Sequence, residues 1–464
     1  MSQYRPVAER IKDYLPVELR LTDEEIKREL KRCQDCGIPF CHALGCPLGN
    51  FIPEINLDAL AGRWDMALAR LLETSPFPEF TARICPALCE GSCVQSLDSQ
   101  PVPSRQIERE VIERAFAKGL VGPKIAAEKL DLNVGVIGSG PSGLAAAQRL
   151  SQAGAKVTVY EKDQKAGGFL RYGIPDFKLE KSVIDRRLDL MAREGVEFVT
   201  GVEAGLDISV RFLQKRHHAL ILALGSRKKR DLPLPGRELC GIFMASDYLA
   251  AQNRVIGGEL HAMPPEMDAF GRKVVVIGGG DTGSDCVGTA WRQGASEVRQ
   301  IEIMPKPPET RAADNPWPQW PRILRTTSSH QEGGQRRWSV NTLKFLPKEG
   351  WPDRLGALSC EEVDWESENG RLVKPVPVPG TEFVLAADLA FLALGFTAPE
   401  LGALIEPQRF NPDRAGRLAP GLYAAGDAVT GPSLVVRAIS SGLNLANTVL
   451  DDYRISALKS SSAA

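Results

Sequence analysis

Seven of the ten cysteines lie close together near the start of the chain, and thiols crowded in this way predict metal or redox chemistry. Iron–sulfur clusters are held by cysteine thiolates, and two four-iron clusters need about eight ligands. Zinc is the alternative, because CxxC is also a zinc signature, although zinc has no redox chemistry. The seven cysteines are Cys33, Cys36, Cys41, Cys46, Cys85, Cys89 and Cys93.

A candidate for an eighth ligand is Glu108, at the head of the predicted helix IEREVIE. Carboxylates suit harder metals than cluster iron, so a glutamate on the helix surface is the competing interpretation. The remaining cysteines, Cys240, Cys286 and Cys360, are isolated from one another, and we expect them to pack as small apolar side chains.

Two glycine-rich motifs each follow an apolar strand and precede a helix. In this pattern the first glycine permits a tight turn, the second lets the backbone approach a pyrophosphate, and the third allows close helix–strand packing. The helix N-terminus adds unpaired N–H groups that attract the phosphates. We therefore predict two dinucleotide sites, at Gly138-Ser-Gly140-Pro141-Ser142-Gly143 and at Gly278-Gly-Gly280-Asp281-Thr282-Gly283.

The two motifs differ in the residues at the ends of their second strands. The strand KVTVYE ends in Glu161, at the spacing of a carboxylate that binds ribose hydroxyls, which favours FAD or NAD. The strand VRQIEIM is predicted to have no acidic residue at its end, which permits a 2′-phosphate. Lys306 or Arg311 can pair with that phosphate, unless both are solvated surface charges. A third glycine-ended strand leads to Gly426-Asp427, suited to the ribityl–pyrophosphate region of a flavin or, alternatively, a plain turn.

Two dinucleotide sites in one chain predict two cofactors that exchange a hydride, and a flavin with a nicotinamide is the simplest pair. A reduced flavin can release single electrons to iron–sulfur clusters, whereas zinc cannot accept them. The net charge of −1 gives no preference for nucleic acid or an anionic membrane. The start of the sequence has no secretory apolar region, so we expect a cytoplasmic protein.

The elements that position these residues can be predicted from the surrounding sequence. The N-terminal region is predicted to be helical, with a capping box of Thr22 and Glu25 and further helices over WDMALARLLE and IEREVIERAF. Each glycine motif lies in a strand–turn–helix–strand unit, which indicates an internal duplication and parallel sheets. Residues 311–350, rich in Trp, Pro and Arg, are expected to form a loop or insertion, and the tail LKSSSAA to be disordered.

Seven sequence segments, given at the end of this paragraph, resemble those of one known family. That family is the small (β) subunits of bacterial glutamate synthase, and the similarity covers about residues 20–450. The same module also resembles the pyridine-nucleotide half of dihydropyrimidine dehydrogenase and related NADPH–ferredoxin oxidoreductases. Together the segments are more specific than either glycine motif. They are CQDCGIPFC, FPEFTARICPALCEGSC, VGVIGSGPSGLAAA, GGFLRYGIPDFKLEK, VVVIGGGDTGSDC, PPETRAADNPWPQWPR and YAAGDAVTGPSLVVRAISSG.

The resemblance implies an α/β fold, with an α-helical iron–sulfur domain followed by two Rossmann-like dinucleotide-binding domains. The expected domains are a region with two 4Fe–4S clusters over residues 1–125, an FAD-binding domain in two parts over 126–250 and 385–464, and an NAD(P)H-binding domain over 251–384. The FAD-binding domain is thus interrupted by the NAD(P)H-binding domain.

The resemblance also implies ligand sets for the clusters. Glu108 matches the position of a glutamine that ligates iron in the dehydrogenase, which makes it a candidate for the second set. Thr81 stands where many relatives carry a further cysteine, so that cysteine is not a required ligand. The implied sets are Cys33, Cys36, Cys41 and Cys93 for one cluster, and Cys46, Cys85 and Cys89 for the other.

For the flavin, the resemblance implies that Gly168, Arg171 and Lys178 wrap the cofactor. Ser433 and Leu434 are expected to begin a helix whose N-terminus points at the flavin ring and stabilises negative charge there. Some relatives carry paired arginines where this chain has Ile303 and Met304, so the choice between NADPH and NADH stays open.

The implied activity is electron transfer from NAD(P)H through FAD and two 4Fe–4S clusters to a large, FMN-containing subunit of glutamate synthase. That subunit makes L-glutamate from L-glutamine and 2-oxoglutarate. One alternative is a related module that feeds ferredoxin or a dihydropyrimidine dehydrogenase-type partner. Another is a zinc-bearing, flavin-binding regulatory protein without turnover.

Overall fold

Helices dominate the first quarter of the chain in the computed structural model, which describes residues 3–368 and 371–462. A π-helical turn covers Cys41–Gly45, and 3-10 turns cover Val94–Leu97 and Pro407–Arg409. The α-helices are, in chain order, α1 Val7–Arg10, α2 Asp23–Leu30, α3 Ile52–Leu60, α4 Trp64–Thr74, α5 Pro78–Ile84, α6 Leu88–Gly91, α7 Ser104–Ala117, α8 Pro141–Gln152, α9 Phe169–Tyr172, α10 Lys181–Arg193, α11 Val210–Arg216, α12 Ala245–Ile256, α13 Asp281–Arg292, α14 Ser328–Gln331, α15 Asp427–Thr430 and α16 Val435–Ser462.

The helical region, α1 to α7, begins as the sequence predicts. The Glu25 N–H donates to the Thr22 hydroxyl oxygen over 3.2 Å, and the Thr22 N–H donates to the Glu25 carboxylate over 2.8 Å. This capping box satisfies two amides that the first turn of α2 leaves without helical partners. The other predicted helices are α4 and α7, whereas α3 and α5 were missed. Both missed helices carry a proline in their first turn, where it favours a helix start.

The strands form two parallel sheets, one antiparallel sheet and one short pair. They are β1 Asn133–Ile137, β2 Lys156–Glu161, β3 Val196–Thr200, β4 Ala219–Leu222, β5 Lys228–Lys229, β6 Ile242–Met244, β7 Lys273–Ile277, β8 Glu297–Ile301, β9 Gln335–Arg337, β10 Val340–Lys348, β11 Trp351–Glu368, β12 Arg371–Pro377, β13 Phe383–Ala386, β14 Leu389–Leu392, β15 Phe396–Ala398, β16 Arg417–Ala419 and β17 Leu422–Ala424.

Each parallel sheet holds one glycine motif. The first sheet has the strand order β16-β17-β4-β1-β2-β3, with β16 and β17 antiparallel, and the second has the order β6-β14-β7-β8-β9. The motifs lie between β1 and α8 and between β7 and α13. The two units β1-α8-β2 and β7-α13-β8 therefore confirm the predicted α/β class and the internal duplication.

The predicted domain boundaries do not coincide with the ends of these units. The boundary after residue 250 falls within α12, and the boundary after residue 384 falls within β13. Because β6 and β14 both pair in the second sheet, its unit extends beyond both boundaries. The antiparallel pair of β5 with β15 lies where the chain passes between the two units. Pairing partners decide which sheet a short apolar strand joins, and the sequence alone does not reveal them.

The segment 311–350, predicted as a loop or insertion, is irregular only in its first part. Its second part contains α14, β9 and all of β10, and β10 joins β11, β12 and β13 in the antiparallel sheet. The predicted disordered tail also differs, because α16 continues through residue 462. Residues 463 and 464 of that tail lie outside the described part. Among the described residues, no helix is long and apolar enough to cross a membrane.

The N-terminal segment, residues 3–20, connects the helical region to the first sheet's unit. The Val17 N–H donates to the Phe177 carbonyl over 3.0 Å. The Glu18 carboxylate pairs with the guanidinium groups of Arg105 and Arg109 on α7. This segment therefore holds α7 close to the chain that follows α9.

A buried ion triad ties the same segment to the second sheet's unit. The Glu332 carboxylate lies 2.8 Å from the Arg10 guanidinium and 2.6 Å from that of Arg292, and none of the three side chains is more than 2% exposed. The Arg10 guanidinium also donates to the Ser328 carbonyl over 2.7 Å. Both buried guanidinium groups thus share this carboxylate as an ion-pair partner.

The substitution Glu332→Gln should lower the free energy of unfolding by about 3–5 kcal/mol, because it removes the ion-pair partner that two buried guanidinium groups share. Urea denaturation of variant and wild type measures the change. Glu406→Gln is the matched control, since the exposed pair of Glu406 with Arg409 should contribute about 0–1 kcal/mol. Equal midpoints for Glu332→Gln and wild type would contradict the prediction.

Candidate functional site

A cavity of about 820 Å³ lies where the helical region and the two parallel sheets meet. Residues 138–142 of the first glycine motif form one wall, and Asp281 and Thr282 at the start of α13 form another. Cys85 and Pro86 contribute a third wall from the cysteine-rich region. A single space therefore borders all three kinds of predicted site.

The first glycine motif has the close approaches that a phosphate-binding turn needs. Gly138 has a φ of +101°, and a Cβ added there would lie 2.4 Å from the Ala223 carbonyl oxygen. A Cβ added at Gly143 would lie 2.0 Å from the Gly138 carbonyl oxygen. At Gly140, by contrast, an added Cβ meets nothing within 4 Å. The open space at the N-terminus of α8 fits a pyrophosphate.

Glu161 lies at the end of β2, beside this turn. One of its carboxylate oxygens accepts the Ser139 N–H over 3.0 Å, and the other accepts the Asp163 N–H over 2.9 Å. The side chain is 5% exposed, so its position at the end of the strand is fixed. This is where a carboxylate meets the ribose hydroxyls in dinucleotide folds, as the spacing predicted.

The chain after β2 brings two of its three predicted flavin residues to the cavity. Gly168 packs on the first motif, where an added Cβ would lie 2.8 Å from the Gly140 Cα, and Lys178 lines the cavity. Arg171 does not line it, because its guanidinium donates to a backbone carbonyl and a carboxylate outside the cavity wall. The structure does not bring Arg171 to the cavity, and its predicted flavin role stays a prediction. Its segment forms the helical turn α9, so Arg171 faces away from Phe169, which does line the cavity.

Lys178 forms an ion pair with Asp285 of α13, and both residues line the cavity. Burial lowers the pKa of Lys178, but the Asp285 carboxylate outweighs burial and holds the pKa above its usual value. The ammonium group therefore stays charged. The pair joins the chain from the first sheet to the helix that carries the second glycine motif.

The four residues predicted around the third glycine-ended strand also line the cavity: Gly426, Asp427, Ser433 and Leu434. Gly426 has a φ of +71°, and an added Cβ would lie 2.7 Å from the Ser142 Cβ. The Ser433 hydroxyl donates to the Asp427 carboxylate over 2.6 Å, and burial raises the pKa of Asp427. This strand end therefore closes against the first glycine motif.

The second glycine motif repeats the geometry of the first. Gly278 has a φ of +121°, and an added Cβ would lie 2.3 Å from the Ala393 carbonyl oxygen. A Cβ added at Gly283 would lie 2.3 Å from the Gly278 carbonyl oxygen. At Gly280 an added Cβ again meets nothing within 4 Å. The residues present therefore fit a second dinucleotide.

A carboxylate lies beside the second motif, where the sequence predicted none. In the first sheet Tyr160 pairs with the last residue of β1, and Glu161 follows it. In the second sheet Ile301 pairs with the last residue of β7, and Glu302 follows it. The two carboxylates thus occupy the same register position. The prediction was wrong because β8 ends at Ile301, earlier than its apolar sequence suggested.

Arg311 is also placed differently from the prediction. Its guanidinium donates to the carbonyls of Gly91, over 3.0 Å, and Gln319, over 2.6 Å, so it joins the irregular segment to the cysteine-rich loops. It is therefore not placed to meet a 2′-phosphate. Lys306 lies 3.5 Å from the Glu309 carboxylate and is half exposed, and its predicted role stays a prediction.

The structure brings Cys33, Cys36, Cys41 and Cys93 together in a first group. Burial and, next, Cys93 raise the pKa of Cys41 to about 12, and Cys33 and Cys36 add to the effect. Burial, Cys33 and Cys93 likewise raise the pKa of Cys36. Iron–sulfur clusters are held by cysteine thiolates, so a group of four neighbouring cysteines suits a cluster.

Cys46, Cys85, Cys89 and Glu108 form a second group. Burial and then the Glu108 carboxylate raise the pKa of Cys46 to about 11, and Cys85 contributes to the shift. Burial also raises the pKa of Cys89 far above its usual value. A Cβ added at Gly45 would lie 2.7 Å from the Cys89 Cα, so the two cysteine-rich segments pack directly on each other.

Glu108 is buried, with 8% of its surface exposed, rather than on the helix surface. Burial raises its pKa to about 7. The Asn50 side-chain amide donates to the carboxylate over 2.9 Å, and the Asn50 side-chain oxygen accepts the Thr74 hydroxyl over 2.8 Å. Sequence reasoning missed Asn50, because no local pattern connects it to a helix that lies far along the chain.

Within residues 3–368 and 371–462, no three His, Cys, Asp or Glu side chains converge closely enough to hold a single metal ion.

The irregular segment before α14 covers the cysteine-rich loops. The rings of Trp317 and Phe40 are 4.7 Å apart, and the Ser92 hydroxyl donates to the Pro318 carbonyl over 2.9 Å. An added Cβ at Gly91 would lie 2.8 Å from the Trp320 ring. The Trp- and Pro-rich composition therefore serves packing against the cysteine-rich region, which the sequence did not indicate.

Comparison with known proteins matches the cysteine-rich region and the region of the glycine motifs to two families. Residues 10–120 match the family described as dihydropyrimidine dehydrogenase domain II, 4Fe–4S cluster, and residues 132–320 match the pyridine nucleotide-disulphide oxidoreductase family. The chain is similar to the solved structure of FprA from Mycobacterium tuberculosis in complex with NADPH, with a TM-score of 0.56 and 18% identity over 71% of this chain and 86% of that one. This last likeness shows the fold alone.

Curated relatives cover nearly the whole chain. It is 46% identical to the glutamate synthase [NADPH] small chain of Mycobacterium tuberculosis, over 98% of this chain and 93% of the relative. It is 39% identical to glutamate synthase [NADH] of Saccharomyces cerevisiae, over 96% of this chain but 21% of that longer protein.

Two alanine substitutions should separate the two dinucleotide sites. Gly140 and Gly280 have φ values of −68° and −76°, which alanine adopts freely, and neither added Cβ meets an atom within 4 Å. Each methyl group should fill its own phosphate space. We expect Gly140→Ala to lower the FAD content and Gly280→Ala to raise the KM for NAD(P)H about tenfold or more. Flavin absorbance and steady-state kinetics measure these effects.

Each of these variants is the matched control for the other. Retained FAD in Gly140→Ala, or an unchanged KM in Gly280→Ala, would contradict the assignment of that motif.

Proposed function

The chain belongs to the glutamate synthase small-chain family, an NAD(P)H-dependent oxidoreductase family with an iron–sulfur domain, and we propose that it supplies electrons to a large, FMN-containing subunit. The proposed resident cofactors are FAD and two 4Fe–4S clusters. The large subunit then makes L-glutamate from L-glutamine and 2-oxoglutarate.

The observation that carries this proposal is the shared cavity. It is bordered by the first glycine motif, by the start of α13 next to the second motif, and by Cys85 of the second cysteine group. A bound flavin accepts a hydride and returns electrons singly, which iron–sulfur clusters can carry. The protein itself would bind the nicotinamide, the flavin and the clusters close to one another.

We assign FAD to the first motif, because two other segments of the chain close on it. Gly168 packs on Gly140, and Gly426 packs on Ser142, so a cofactor held there is enclosed. NAD(P)H is assigned to the second motif. The pair of Lys178 with Asp285 then orients α13 against the flavin-side segment.

We propose that the first cysteine group holds one 4Fe–4S cluster. The second cysteine group, together with Glu108, would hold the other 4Fe–4S cluster. Cys85 borders the cavity, so the second group is the nearer one to the flavin site. Cys36 and Cys41 of the first group lie in residues 36–45, a segment in which Ile38 and Leu44 are 74% and 66% exposed. We place the contact with the large subunit at this segment, because electrons must leave from the outer group.

The first sheet's unit is thus the proposed FAD-binding domain and the second sheet's unit the NAD(P)H-binding domain. We also propose a cytoplasmic setting, because thiols that assemble clusters must stay reduced.

The proposal is tested by anaerobic reconstitution, cofactor counting and mixing with the large subunit. The chain alone should oxidise NAD(P)H only with an artificial acceptor, and glutamate should form only when both subunits are present. Reduction of ferredoxin without any coupling to the large subunit would instead favour the ferredoxin-linked alternative. A purified protein without iron and sulfide would overturn the proposed electron transfer through 4Fe–4S clusters.

The substitution Cys36→Ala should remove one cluster and leave FAD bound, because the flavin site lies in a different unit. Iron and sulfide per FAD should fall by about half, and electron delivery to the large subunit should stop. Cys240→Ala is the matched control, since Cys240 is exposed and lies outside both groups. Unchanged iron in Cys36→Ala would remove Cys36 from the ligand set.

Two substitutions of Glu108 test its role as a ligand. Glu108→Ala should alter the EPR signal of one reduced cluster, because it removes an oxygen ligand. Glu108→Gln should keep a four-ligand site, since an amide oxygen can take the same position. Spectra of Glu108→Ala identical to wild type would show that the carboxylate is not a ligand.

A further inference from the structure

We propose that Glu302 selects NADH over NADPH at the second glycine motif, an inference that rests on the proposed function. The selection would act through the ribose 2′ position of the nucleotide. A carboxylate there accepts a hydrogen bond from the 2′-hydroxyl of NADH and repels the 2′-phosphate of NADPH.

The first support is the equivalence of Glu302 and Glu161. In both sheets the first glycine N–H donates to the carbonyl of the residue before the carboxylate, from Gly138 to Tyr160 and from Gly278 to Ile301, each over 2.8 Å. Glu302 therefore stands against the second motif as Glu161 stands against the first.

The second support is how the Glu302 carboxylate is held. One oxygen accepts the Gly279 N–H, and the other accepts the Met304 N–H over 3.0 Å. Glu161 is held in the same way, by the N–H groups of Ser139 and Asp163. Backbone amides thus fix both carboxylates at the edge of a glycine turn, and among the described residues no side-chain cation forms an ion pair with either carboxylate.

The third support is the arrangement of the neighbouring cations. Arg337 pairs with Glu362 over 2.6 Å, and Lys306 lies 3.5 Å from Glu309. Arg336 donates to the Thr326 hydroxyl over 2.9 Å and lies over the Trp338 ring. Each of these three cationic side chains therefore already contacts another protein group. A 2′-phosphate bound here would lie close to the negative charge of the Glu302 carboxylate.

The test compares the two nucleotides on FAD-loaded full-length protein with ferricyanide as acceptor. Wild type should have a kcat/KM for NADH at least about tenfold above that for NADPH. Calorimetry gives a second readout that needs no turnover, and 5′-AMP should bind more tightly than 2′,5′-ADP. A wild-type preference for NADPH and for 2′,5′-ADP would overturn the proposal.

The substitution Glu302→Gln should raise kcat/KM for NADPH and lower it for NADH, so that their ratio shifts about tenfold toward NADPH. Glu309→Gln is the matched control, because it removes a nearby carboxylate that contacts Lys306 rather than the glycine turn. A shift with Glu309→Gln but not with Glu302→Gln would overturn the proposal and assign selection to Lys306. If neither nucleotide is oxidised, the proposed function fails, while the calorimetric comparison still tests Glu302.

Discussion

The carboxylate of Glu332, enclosed between the guanidinium groups of Arg10 and Arg292, holds the N-terminal segment on the second sheet's unit. The same segment pairs with α7 through Glu18 and with the first sheet's unit through Val17. A short stretch of chain therefore touches all three units, and the cavity lies between them. Because breaking a buried ion pair is costly, this contact stabilises the arrangement of the three units around the cavity.

The two duplicated units, β1-α8-β2 and β7-α13-β8, have the same backbone geometry at their glycine motifs. Both place glycine where a side chain would collide with a neighbouring carbonyl, and both leave open space at the helix N-terminus. They differ in what surrounds them. Gly168 and Gly426 close on the first motif, which suits a resident cofactor, whereas the second motif faces the cavity through the start of α13 and suits a nucleotide that comes and goes.

The cysteine-rich region depends on contacts between segments that are distant in the chain. Gly45 lets the first cysteine-rich segment pack against Cys89, and α7 adds Glu108 to the thiols of the second group. The irregular segment with Trp317 and Trp320 covers these loops and comes from the second sheet's unit. The proposed cluster sites are therefore completed by parts of the chain that carry no cluster motif.

The sequence by itself determined the features that local spacing encodes. The glycine motifs, the spacing of Glu161 and the capping box at Thr22 predicted dinucleotide turns, a strand-end carboxylate and a helix start, since each depends on residues a few positions apart or on one βαβ unit. Tertiary structure alone decided which strands pair, that Arg171 and Arg311 turn away from the predicted sites, and that Glu302 stands at the second motif. Those outcomes depend on where a strand stops and what packs beside it, and contacts between distant segments set both.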